Sequence, residues 1–325
     1  MKHTLPRRAL LAGLTLLAAL GAHAQTAPAG FPTKPVKILV NFPPGGPADL
    51  IARAMSDVLQ ATLKQPFVVE NKPGAGGNIG ADQVAKSPAD GYTVLFGIDT
   101  TFTVNPHIYK AMPFKPADLK PLMVLASSGM MVGVTPRTGI RTLGELIAAG
   151  KSKGVTFSSA GSGAPGHLAA EVFTEATGMK IQHIPYKGNT PAVTAVLAGE
   201  VDGGVLATPG LLPHVKAGKI TALAVTSRQR SRLAPDVPTV SEAGLKELEQ
   251  EIFYIAMVPA ATPEPVVQIL QRAFADALSR PEVQARLSNL DLHHEGLTGQ
   301  AASQRLAALS ERYSRVIRAT GMKVE

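Results

Sequence analysis

Two glycine-rich turns, each carrying an apolar run into an amphipathic one, constrain this chain most. The first is Asn41-Phe42-Pro43-Pro44-Gly45-Gly46-Pro47-Ala48-Asp49. The second is Ser158-Ser159-Ala160-Gly161-Ser162-Gly163-Ala164-Pro165-Gly166-His167. Glycine lets backbone approach a ligand closely, and a helix start offers unpaired N–H groups and partial positive charge. Turns of this kind between strand and helix belong to α/β architecture. Two of them, far apart in sequence, point to two jaws of one anion site.

The segments around the turns support that class. Val36 to Phe42 reads as a buried strand, Gly46 caps the helix that follows, Pro47 suits its first position and Asp49 its first turn. Phe67 to Glu70 and Tyr92 to Gly97 read as further strands. A third glycine-rich turn, Asn71 to Asn78, lies between them. Leu122 to Val134 is extended, apolar and long enough to cross between domains. Strands at 155–159, 181–184 and 201–206 then alternate with helices, one opened by the capping box Thr142-x-x-Glu145. Thr221 to Thr226 is expected to cross back, Ile252 to Val258 to form another strand, and a helix over about 298–319 to close the chain. The order predicts two lobes on crossing strands: residues 25–126 with 227–325, and residues 127–226. The 325-residue length also favours two cores over one.

Residues 1–24 have the form of an export leader. Lys2, Arg7 and Arg8 precede the apolar stretch Ala9 to Leu20, and Ala22-His23-Ala24 fits a cleavage site near Ala24. The expected compartment is the periplasm, with the Sec and twin-arginine routes both open. Without those residues the formal charge of +8 becomes +5, since three basic and no acidic groups are lost. No block of Lys or Arg accompanies this mild basicity, and aromatics are 5%, so nucleic acid is not an expected partner. The chain has no cysteine, which excludes disulfides and thiolate chemistry.

Catalytic motifs are mostly missing. Gly161-Ser162-Gly163-Ala164-Pro165-Gly166 matches the dinucleotide fingerprint GxGxxG. However, the next strand ends in Ile184-Pro185-Tyr186-Lys187 without the acidic residue a ribose needs, and Pro165 removes a donor. Ala149-Gly150-Lys151-Ser152 follows a helix and lacks the first P-loop glycine. No HExxH motif occurs, and the adjacent His293 and His294 read as a solvated turn. No cofactor, metal or catalytic residue is expected. His167 suits either a donor to a bound carboxylate or a local cap, and Asp49 either a loop brace or a ligand contact. Thr100, Thr101 and Thr208 stand at the carboxyl ends of strands, where open α/β sheets bind ligands.

The motifs together resemble the tripartite tricarboxylate transporter receptor family, also called the Bug family of periplasmic solute-binding proteins. The resemblance is carried by Phe42-Pro43-Pro44-Gly45-Gly46 with Asp49 and Arg53, and by Val69-Glu70-Asn71-Lys72-Pro73-Gly74-Ala75-Gly76-Gly77-Asn78. Further segments are Pro185-Tyr186-Lys187-Gly188, Pro213-His214-Val215-Lys216-Ala217-Gly218 and Pro235-Asp236-Val237-Pro238-Thr239. It implies a two-lobed type II periplasmic-binding-protein fold and capture of a small carboxylated solute between the lobes. It also implies delivery to the membrane permease subunits of a tripartite transporter. A co-receptor role for a sensor kinase is the alternative output, and a nucleotide-dependent enzyme the remote one. The candidate ligand-binding residues are Phe42, Gly46, Pro47, Ala48, Asp49, Thr100, Thr101, Ser159, Gly161, Ser162, Gly163, His167 and Thr208. The resemblance also marks departures. Ala48 stands where family members carry Ser or Thr, and Ala164-Pro165 where they offer hydroxyls and an N–H. Each missing charge-assisted bond is worth about 1.5–3 kcal/mol.

Overall fold

The computed structural model describes residues 30–323, and the leader read at residues 1–24 lies outside them. The strands are β1 (Val36–Val40), β2 (Phe67–Asn71), β3 (Thr93–Ile98), β4 (Leu119–Val134), β5 (Val155–Ser159), β6 (Ile181–Pro185), β7 (Gly203–Ala207), β8 (Thr221–Val225), β9 (Glu251–Pro259) and β10 (His293–Thr298). They form one mixed sheet in the order β2-β1-β3-β9-β4-β7-β5-β6, with β8 and β10 also paired to β4. The sheet has two parallel blocks, β2-β1-β3 and β7-β5-β6, joined through antiparallel strands. This is the α/β class expected from the strand–turn–helix alternation.

Local chemistry explains the elements on each side of the turns. In β1 Val36, Ile38, Leu39 and Val40 are buried, as in a parallel strand covered on both faces. The helix Pro47–Leu63 has Gly46 as extended N-cap, Pro47 in its first turn and a left-handed Lys64 at its end. Its buried stripe of Ile51, Met55, Val58 and Leu59 follows the helical period. The helix Pro165–Thr177 starts the same way and ends at left-handed Gly178. Thr142 and Glu145 make the expected reciprocal cap of the helix Leu143–Ser152.

Strand β4 holds the two blocks together. Its first half pairs with β9 and β10 and its second half with β7 and β8. The return crossing is a line of strand with an interruption. After β8, the Thr226 N–H donates to the Met130 carbonyl (2.8 Å) and its hydroxyl accepts from the Met130 N–H (2.9 Å). The Thr226 carbonyl then accepts from the Gln250 N–H (3.0 Å), just before β9 begins. Residues 227–249 leave the line and return to it. The C-terminal helix Gly299–Thr320 ties the blocks from another side. Its Tyr313 and Ile317 pack with Val104 and Ile108 from one and Leu168 from the other.

One sequence expectation is corrected here. His293 and His294 lie in β10, paired with Ser127 and Ala126 of β4, and not in a turn. A two-histidine start hides the strand because neither residue is strongly apolar, and alternation sends the two rings to opposite faces. Thr100 and Thr101 stand just past the carboxyl end of β3, as expected, and the chain coils there into short helices, Thr100–Thr103 and Asn105–Ile108.

Gly129 sits where the two crossing lines meet. A Cβ there would stand 2.6 Å from Ser227 Oγ and 2.8 Å from Ser227 Cβ. Gly129→Ala is expected to lower stability by about 1–3 kcal/mol, the ordinary cost of overpacking, as read from its denaturant midpoint. An unchanged midpoint contradicts this tight crossing.

Candidate ligand-binding cleft

The first glycine turn is held open by a buried carboxylate. Asp49 is 2% exposed, accepts from the Gly45 N–H (2.9 Å), and takes two bonds from Arg53 Nε (3.1 and 3.0 Å). Asn71 completes the brace, donating to Asp49 Oδ1 (3.0 Å) and to the Phe42 carbonyl (3.1 Å). Burial opposes ionisation of Asp49, but the bonds from Arg53, Gly45 and Asn71 outweigh it and hold the carboxyl below its usual range. With its oxygens committed, Asp49 shapes the turn and leaves the first N–H groups of its helix free of side-chain caps.

The second turn rests on a histidine pair. Ser159 Oγ lies 2.6 Å from His183 Nε2 and accepts from the Gly161 N–H (3.2 Å). The His167 ring stacks on His183, with centroids 3.9 Å apart and planes 7° from parallel, and its Nδ1 accepts from the Gly163 N–H (3.2 Å). Gly161 and Gly163 take φ of 136° and 81°, a region that side chains disfavour. The third turn is fastened to the first block. Thr101 Oγ1 and Asn105 Nδ2 both donate to the Gly76 carbonyl (3.1 and 3.0 Å), and Asn41 Nδ2 donates to Gly77 (3.1 Å).

The turns face one another. An inner cavity of about 60 Å³ has Phe42, Gly46, Pro47 and Ala48 on one wall and Ala160, Pro165, Asn189 and Thr190 on the other. Its floor is Ile98 with Ile252 and Tyr254 of the crossing strand β9. Outside it lies a recess of about 590 Å³ bounded by residues 73–77, Gly161, Ser162 and residues 185–188. Helices start at Pro47, Pro165 and Asn189, so three helix N-termini converge on the inner cavity. That volume is far below the roughly 300–1,000 Å³ of an ordinary ligand pocket, and the recess beside it falls within that range. Pro43 of the first turn packs close to Gly188 of the opposite wall.

Of the residues singled out in the sequence, Phe42, Gly46, Pro47 and Ala48 line the inner cavity, and Gly161 and Ser162 the outer recess. Asp49, Ser159, Gly163 and His167 brace the turns from behind. Thr100 is buried, Thr101 supports the third turn, and Thr208 donates to the Gly129 carbonyl on β4 (3.0 Å). Asn189, Thr190 and Tyr254 were not anticipated. The Asn189 side-chain oxygen Oδ1 accepts from the Ala207 N–H (3.2 Å), an anchor that no local motif announces.

The model of the tripartite tricarboxylate transporter family receptor matches residues 51–322. The chain belongs to that family. It is 33% identical over 313 residues to protein BugT of Bordetella pertussis, covering 95% of this chain and 96% of BugT. The solved structure of the periplasmic binding protein BugD superposes with TM-score 0.85 at 31% identity, covering 91% of this chain and all of that one. The R. palustris protein Rpa4515, solved with adipate, superposes with TM-score 0.86 at 30% identity, covering 90% and 99%. The family is one of solute-binding receptors, and the two-lobed periplasmic-binding-protein fold expected from the sequence is the fold observed.

Two groups behind this receptor's cleft, the partly buried His183 and the buried Asp99, are shifted in opposite directions. Burial, and secondly the stacked His167, push His183 down to about 3 from an ordinary 6.5. Burial pushes Asp99 up to about 7 from 3.8, against bonds from the Phe253 N–H and the Thr103 hydroxyl. The depressed His183 contributes stability above pH 6.5 that is lost as pH falls toward 3. The raised Asp99 contributes stability below pH 3.8 that is lost as pH rises toward 7. Their slopes, each at most about 1.4 kcal/mol per pH unit, oppose one another between those limits. Relative to wild type, His183→Gln is expected to make stability fall more steeply, or rise less, from pH 4 to 6.5, and Asp99→Asn the reverse. Denaturant midpoints across that range check this, and equal slopes in both variants contradict it.

Proposed function

We propose that the receptor captures a small carboxylated organic solute in the periplasm and delivers it to the membrane subunits of a tripartite permease. The convergence of three helix N-termini on one enclosed cavity carries this reading. A carboxylate placed there meets backbone N–H groups that have no partner within their own helices, and three dipole ends of matching sign. The adipate held by Rpa4515 supports the same class of ligand. Ligand exchange needs the jaws to part, and the crossing at Gly129, Met130 and Thr226 is where residues 127–226 would turn against the rest of the chain.

Exported protein purified without added ligand, then denatured, is expected to release a carboxylic acid identifiable by mass spectrometry. The refolded protein is expected to regain thermal stability when that acid is returned, by about 2.7 kcal/mol at a hundredfold excess over Kd. Release of only uncharged or cationic compounds that restore the stability would overturn the proposal. Loss of uptake of the identified acid in a deletion strain tests delivery, and undiminished uptake contradicts it.

A further inference from the structure

We propose that this cleft selects a monocarboxylate with a compact apolar body over the dicarboxylate of the same chain length. The inference rests on the carboxylate reading above and narrows it. Among the residues lining the inner cavity none carries a charge. The polar side chains on the lining are Asn189, Thr190 and Tyr254, and helices start at its Pro47, Pro165 and Asn189. Ile98 and Ile252 add apolar surface from β3 and β9.

The Tyr254 hydroxyl is a neutral group on that floor, shared with Ser128 Oγ 3.2 Å away, and offers a second carboxylate at most one hydrogen bond and no charge. A carboxylate pressed against Ile98 and Ile252 gives up its hydration with no cation to replace it, which burial penalises heavily. An alkyl or alkenyl body in the same place gains from leaving water. Two features of the wall sharpen the contrast. Ala48 offers a methyl where a hydroxyl would fit, and Pro165 has no N–H to offer.

The remaining place for a second carboxylate is outward, toward the recess. Lys187 is the charged side chain lining it, and Lys187 is exposed, where water and salt screen a charge. The turn-facing carboxylate therefore meets the convergent donors, and the far end of the ligand meets apolar surface.

Titration calorimetry of the full, ligand-stripped protein with hexanoate, adipate and the neutral hexanamide tests the inference. Hexanoate is expected to bind at least about tenfold more tightly than adipate, the size of one unmet charge-assisted pairing. Adipate binding within about tenfold of hexanoate, or adipate binding that collapses in Lys187→Ala, would overturn the selectivity and leave a carboxylate receptor standing. Binding of hexanamide alone would remove the carboxylate reading and this inference with it, whereas binding of none of the three would overturn this inference and leave the carboxylate reading to the released-ligand experiment.

Discussion

Strand β4 is the constraint on which the rest of the molecule depends. It runs from Leu119 to Val134 and pairs with strands of both parallel blocks, so their relative placement is set by one continuous backbone. Parallel strands preceding helices present their carboxyl ends on one side, and the helix starts gather there. Because both blocks share β4, their carboxyl ends open on the same crevice. Thr226 locks the return line against β4 with both backbone and hydroxyl, and Gly129 leaves room for Ser227 to pass.

The cleft follows a division of labour between side chains and backbone. Asp49, Arg53 and Asn71 hold the first turn, and Ser159, His183 and His167 hold the second. Their polar atoms are spent on shaping the turns. What reaches the cavity is mainly apolar side chain and backbone amide, from glycine, proline and alanine positions. On the proposed function, such a wall recognises charge through dipoles and leaves the body of the ligand to be chosen by shape and apolar contact.

Much of this was legible in the sequence. Gly46-Pro47 and Ala164-Pro165 announce helix starts, since extended caps followed by proline have few other uses. The apolar stretch ending at Val134 announces a crossing strand because nothing polar interrupts it except Ser127-Ser128. Other features were hidden for physical reasons. The return crossing was read as the strand ending at Thr226, whereas the line resumes at Gln250 after a long excursion, and only the hydrogen bond between them reveals the continuity. The strand β10 opens with two histidines whose burial differs by face, which hides its period. Asn189 and Thr190 come to the cavity from one helix start and Tyr254 from a distant strand, a juxtaposition that no local pattern encodes. The inward turn of His167 depends on a stacking partner in β6, sixteen residues away in sequence (183 − 167 = 16).

The proposed capture requires two jaws on a shared strand to close over the solute. The chain has no cysteine, so Gln60→Cys and Ala198→Cys, both exposed and on helices of opposite blocks, can carry a single pair of spin labels. Pulsed dipolar spectroscopy of the ligand-stripped receptor should show a longer or broader distance distribution, and a saturating carboxylate should collapse it to one short distance. Identical distributions with and without bound ligand would contradict a closing cleft.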